Sequence, residues 1–74
     1  MRFNREAVKA IRERSKMTQT AIAAEAGIDR PNYAHIEAGR RQPTDVQIVA
    51  IAKALVVPLS AVGEVDAEPD EVAA

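Results

Sequence analysis

"TQTAIAAEAGIDRPNYAHIEAG", residues 18–39, decides how this chain reads. Thr18 stands just before a helical apolar spacing, where its hydroxyl can cap a helix over about Gln19 to Ala26. Ile22, Ala23 and Ala26 then fall on one side of that helix. Gly27 supplies the left-handed residue that closes it. Only Gly-Ile-Asp separates this end from another helix, over about Arg30 to Ala38, which Gly39 closes in the same way. So short a link forces a sharp crossing of the two helices.

The same reasoning extends in both directions. Upstream, Asn4 can cap a helix running to about Ser15, with Ala7, Val8 and Ile11 facing inward. Downstream, Thr44 and Gln47 have the spacing of a capping box, and Asp45 favours the positive end of the helix dipole. Ile48, Ile51, Ala52 and Leu55 follow as a buried stripe. Pro58 is expected to precede a short fifth helix containing Leu59 and Val62. No stretch alternates as a half-buried strand should. The expectation is an all-α, compact five-helix domain over residues 1–62, followed by an acidic tail, 63–74, with too little to bury to stay ordered.

Composition removes several function classes. With 74 residues there is one domain at most. There is no cysteine, hence no disulfide and no thiolate metal site. One histidine does not make a structural zinc site, and no metal or other cofactor is expected. No apolar run approaches the ~20 residues that cross a bilayer. The opening "MRFNREAVKA" lacks the apolar region of a signal peptide, which points to a soluble, cytoplasmic protein with no membrane partner. Ser15, Ser60 and His35 form no recognisable nucleophile–base arrangement, no phosphate-cradling glycine loop is present, and an enzyme is not expected. Nor is a small-molecule ligand evident.

The net charge of −1 hides a division. Residues 1–62 hold all ten basic side chains and six acidic ones, a balance of +4. Residues 63–74 hold Glu64, Asp66, Glu68, Asp70 and Glu71 and no basic residue, a balance of −5. A mildly basic body hints at an anionic partner. Residues 19–38 read as a helix-turn-helix, whose second helix can enter the DNA major groove.

Here the chain resembles the Cro-like, lambda-repressor-like family of DNA-binding domains, often called the xenobiotic-response-element type. "TQTAIAAEAGI", then Tyr33, Ile36, Glu37, Gly39, Arg41 and Pro43 in the order Y-x-x-I-E-x-G-x-R-x-P, and "IAKAL" at 51–55 carry the resemblance, which spans about residues 4–62. It implies a transcriptional regulator of double-stranded DNA, commonly a homodimer on an inverted-repeat operator, working at the nucleoid of a prokaryote or phage. It implies base reading by Arg30, Pro31, Asn32 and His35, and phosphate contacts from Thr18, Gln19, Arg40 and Arg41. It also implies a buried structural salt bridge between Arg12 and Glu37. The chain departs from the family pattern at Asp45, where an apolar residue is usual, at Val56, often glycine, and at Tyr33, usually aliphatic.

Pro31 needs a physical account. The first turn of a helix has N–H groups without intrahelical acceptors, so proline costs little there. Either Arg30 is the N-cap with Pro31 first in the helix, or Asp29 caps and Arg30 is slightly distorted. Both place Arg30 at the leading tip, where a guanidinium can span guanine O6 and N7. Val46, Val49 and Ala50, with Leu59 and Val62, either form a twofold contact or cover the fifth helix within one chain. The acidic tail either serves only as a solubilising segment or has its five carboxylates fold back transiently over Arg30, Arg40 and Arg41 and suppress non-specific binding. The favoured reading is a repressor acting by operator occupancy. Its rival is an antitoxin-like or adaptor interaction module on the same fold, which has no need of a basic helix tip and loop.

Overall fold

A computed structural model of the chain describes residues 1–64. A two-residue strand, β1 (Arg2–Phe3), leads into α1 (Arg5–Arg14), α2 (Gln19–Ala26), α3 (Arg30–Ala38) and α4 (Asp45–Leu55). A single 3₁₀ turn (Leu59–Ala61) and a second strand, β2 (Gly63–Glu64), follow. The helices begin where short polar side chains take up orphan amides. Asn4 Oδ1 accepts the Ala7 N–H at 3.0 Å and Thr18 Oγ1 that of Ala21 at 3.0 Å. At α4 both halves of the box close: the Gln47 N–H donates to Thr44 Oγ1 at 3.1 Å and the Thr44 N–H to Gln47 Oε1 at 3.0 Å.

α2 lies between α3 and α4, and α1 closes against α3. Their inner faces bury Val8, Ile22, Tyr33, Ile36, Ile48 and Ile51 completely or nearly so. The stripe expected on α4 is buried along its whole length. Three helices end on left-handed residues, Gly27 (φ 72°), Gly39 (φ 84°) and Val56 (φ 58°). Val56 thus adopts a backbone conformation that favours glycine, at the steric cost a Cβ brings.

The expected fifth α-helix does not form. Between Pro58 and Val62 the chain makes only two i→i+3 bonds, Ala61 N–H to the Pro58 carbonyl (2.9 Å) and Val62 N–H to that of Leu59 (3.0 Å). The next residues are committed elsewhere: the Val62 carbonyl accepts the Asn4 N–H at 2.8 Å, and Gly63 pairs with Phe3. One turn cannot propagate when its far end is held by a sheet. The described residues therefore form four α-helices and a small antiparallel sheet, Arg2 facing Glu64 and Phe3 facing Gly63.

Two-residue strands are too short to show an alternating pattern, which is why none was expected. Position 63 admits only glycine here, since a Cβ would run into the Arg2 carbonyl oxygen. Gly63 and Glu64, counted with the tail, belong to this sheet; the rest of the expected disordered tail, 65–74, lies outside the described residues. Val62 is fully buried and cannot serve a twofold contact. Among the described residues no helix is long and apolar enough to cross a membrane.

Candidate nucleic-acid interface

α3 divides sharply into two faces. Tyr33, Ile36 and Glu37 point into the molecule, while Arg30, Pro31, His35 and Ala38 stay exposed. Asp29 is the cap: its Oδ2 accepts the Asn32 N–H at 3.2 Å. Of the two alternatives at Pro31, the second therefore holds, with Arg30 the first helical residue and Pro31 the second. Pro31 occupies a position whose missing N–H costs nothing. Asn32 is half-buried and its side-chain amide donates to Asp29 Oδ1 at 3.0 Å, so one of its two donors is engaged within the first turn.

The inner face is fixed by a polar cluster centred on Glu37, only 5% exposed. Arg12 reaches from α1 with two parallel bonds, Nε to Oε2 and Nη2 to Oε1, both 2.9 Å. Its Nη1 donates to the Met17 carbonyl at 2.9 Å, tying in the loop before α2. Gln19 Nε2, at the start of α2, donates to Oε1 at 3.0 Å, and the Tyr33 hydroxyl donates to Oε2 at 2.6 Å. A bidentate guanidinium and two further donors satisfy a carboxylate that burial would otherwise penalise.

The charge states follow. Burial pushes the Glu37 carboxyl up, but hydrogen bonds from Arg12, Tyr33 and Gln19 outweigh it and hold the group below the usual carboxylate range. Burial, then the bond to the Glu37 carboxylate, push the Tyr33 phenol well above its ordinary value. Hydrogen bonding to Glu37 makes Arg12 still more firmly cationic.

The salt bridge expected from Arg12 and Glu37 is thus one part of a four-residue network. Tyr33 is fully buried, and its role as donor was legible only in its i, i+4 spacing to Glu37. Gln19, expected among the phosphate contacts, is half-buried and turns one amide N–H inward to Glu37. Thr18 remains exposed at the start of α2, its hydroxyl oxygen accepting the Ala21 amide.

At the other end of α3, the Gly39 and Arg40 amides return to the Ile36 and His35 carbonyls at 3.1 and 2.9 Å. The same cap closes α2 and α4, where the following residues, Ile28 and Val57, turn toward the core. After α3 that place holds Arg40, and the chain turns outward instead. His35, Arg40 and Arg41 line one shallow depression. Arg30 and Pro31 sit at the opposite end of the helix, roughly 12 Å along its axis.

Arg5 is a cation that the sequence reading left out. Its guanidinium lies over Gly39, where a Cβ would come within 2.7 Å of Nε, and it reaches the Glu37 carbonyl at 3.5 Å. Gly39 is needed for its positive φ, whereas a Cβ there would meet only the movable end of the Arg5 side chain. Among the described residues no three His, Asp or Glu side chains converge as a metal site.

Comparison with known proteins places this arrangement. Residues 8–62, well over half of the chain, match a family model described as helix-turn-helix. No curated protein matches the chain. Among solved structures it is similar to the restriction-modification controller protein C.AhdI from Aeromonas hydrophila. The TM-score is 0.75 at 24% identity, over 77% of this chain and 86% of that one.

Proposed function

The chain belongs to the Cro-like helix-turn-helix family and is a DNA-binding transcriptional regulator, not an enzyme; from that premise we propose that it is a sequence-specific repressor acting by occupancy of an operator. The observation that carries this reading is the outer face of α3, with Arg30 exposed at its tip and His35, Arg40 and Arg41 together at its other end. In the major groove Arg30 would take guanine O6 and N7, the Pro31 ring would pack against a thymine methyl, and His35 would reach a base or phosphate one turn on. Arg40 and Arg41 would neutralise phosphates and set the salt dependence, with Thr18 at the head of α2 adding a neutral contact. Asn32 and Gln19 each commit an amide N–H to Asp29 and Glu37, which fixes their orientation, and would offer DNA the remaining N–H and the carbonyl oxygen.

The proposed active form is a homodimer on an inverted repeat. Val46 and Val56 are 79% and 88% exposed, and Val49, Ala50 and Leu59 are half-buried beside them. Pairing this side of α4 with its copy would remove the apolar surface from water. It would also present two α3 helices to half-sites about 34–36 Å apart. Selection from a random duplex pool at near-physiological salt tests the reading. An enriched inverted repeat supports it, and a single half-site would overturn the dimer. No enrichment by folded protein would transfer the exposed apolar side to a protein-interaction role.

A further inference from the structure

Three depressions adjoin one another on the surface. The first is lined by Arg2, Arg5, Gly63 and Glu64, with Glu6 as the one opposing acid besides Glu64. The second shares Phe3 and Arg5 with it and continues to Gly39, Arg41 and Gln42. The third shares Arg41 with the second and ends at Arg40 and His35. Arg2, Arg5, Arg41 and Arg40 therefore form a basic track. It runs from the place where the described chain ends to the face of α3 assigned above to DNA.

We propose that the acidic segment following Glu64 docks in cis along this track and competes with DNA for it. The competing half of the proposal rests on the DNA-binding reading; the docking half does not. Glu64 already pairs with the first arginine of the track, its Oε1 3.3 Å from Arg2 Nη1. Asp66, Glu68, Asp70 and Glu71 follow within seven residues. At ~3.3–3.6 Å per extended residue they reach up to about 25 Å beyond Glu64. The charges match in sign and order, cations along the track meeting acids along the segment. The route leads first to Arg2, Arg5 and Arg41, while Arg30 lies past its end. A short tether gives such a contact a millimolar effective concentration, enough for weak ion pairs to hold, and salt weakens them.

The test uses the full chain with Asp66→Asn, Glu68→Gln, Asp70→Asn and Glu71→Gln together, leaving Glu64 and the sheet intact. Affinity for a random-sequence duplex should rise about three- to tenfold at low salt and converge with the parent's at high salt. Because the chain lacks cysteine, a spin label at Ala74→Cys reports docking without DNA. It should broaden the amide resonances of Arg5, Gly39 and Arg41, and the four neutralising substitutions should abolish that broadening. Tighter DNA binding without broadening would mean long-range repulsion only and would overturn docking. Broadening with unchanged DNA affinity would overturn competition. If neither version binds DNA, the DNA-binding reading falls, and the label still decides whether the segment docks.

Discussion

Glu37 and His35 stand two residues apart on one helix and live in opposite chemistry. The inner face of α3 is closed: Glu37 accepts four hydrogen bonds, from Arg12, Gln19 and Tyr33, and its charge is fully matched. The outer face is open, with Arg30, His35, Arg40 and Arg41 exposed. The difference teaches a division of labour. Helices α1, α2 and α3 meet at one buried carboxylate, so their mutual angles are set by directional bonds as well as apolar packing. That rigid base allows the outer side chains to differ from sequence to sequence without disturbing the fold. Damage to the inner face should appear as lost stability, and damage to the outer face as lost recognition.

The largest effect is expected from Glu37→Ala. It strands the Arg12 cation and orphans the donors of Tyr33 and Gln19, a loss of about 3–5 kcal/mol. Small domains have only ~0.05–0.15 kcal/mol per residue in total. The variant should therefore be largely unfolded by circular dichroism near room temperature. A cooperative melt close to the parent's would break the comparison at once.

Tyr33→Phe removes one donor to the same carboxylate and should cost about 1.5–3 kcal/mol in urea denaturation. Leaving stability unchanged would reduce the hydroxyl to a bystander.

Acid should act on the same group. The folded carboxyl of Glu37 ionises below the ordinary carboxylate range, so the unfolded chain binds the proton first as pH falls. Its contribution is complete above about pH 4.5 and is lost as pH falls through the folded value. Tyr33, raised in the fold, contributes fully below about pH 10 and loses that contribution above it. Urea midpoints between pH 7 and pH 3 should decline less steeply for Glu37→Gln than for the parent.

Much of this was legible in the sequence because caps and apolar spacing are local. Asn4, Thr18 and Thr44 begin helices as their side chains dictate, and Gly27 and Gly39 end them. Features set by distant partners were not legible. The β1–β2 pair joins residues 60 positions apart at its inner register, Phe3 with Gly63, and no local pattern in a two-residue strand announces it. The fifth helix was lost for the same reason, its end being claimed by Asn4 and the sheet. The inward turn of Gln19 depends on a carboxylate 18 residues away, as the position of Arg5 depends on Gly39. The resemblance pointed to the outer face of α3 and to the Arg12–Glu37 bridge beneath it; the bond from Gln19 to the same carboxylate and the reach of Arg5 to the end of α3 emerged only in three dimensions.

A smaller effect is expected from Val56→Gly, which relieves a β-branched side chain from a left-handed backbone where it is almost fully exposed. The monomer should gain about 0.5–1 kcal/mol in urea denaturation at low protein concentration. A destabilised monomer would show instead that Val56 packs where its exposure says it does not.

The central claim, that the outer face reads DNA while the inner face only orients it, is tested most directly by one thermodynamic cycle. Parent and Arg30→Ala are each titrated with the selected operator and with the same operator altered at its contacted guanine. The expected result is that Arg30→Ala melts as the parent does but loses discrimination at that guanine by about 1–3 kcal/mol, leaving other positions as they were. Equal discrimination by the two proteins would contradict the assignment of the α3 tip to base reading.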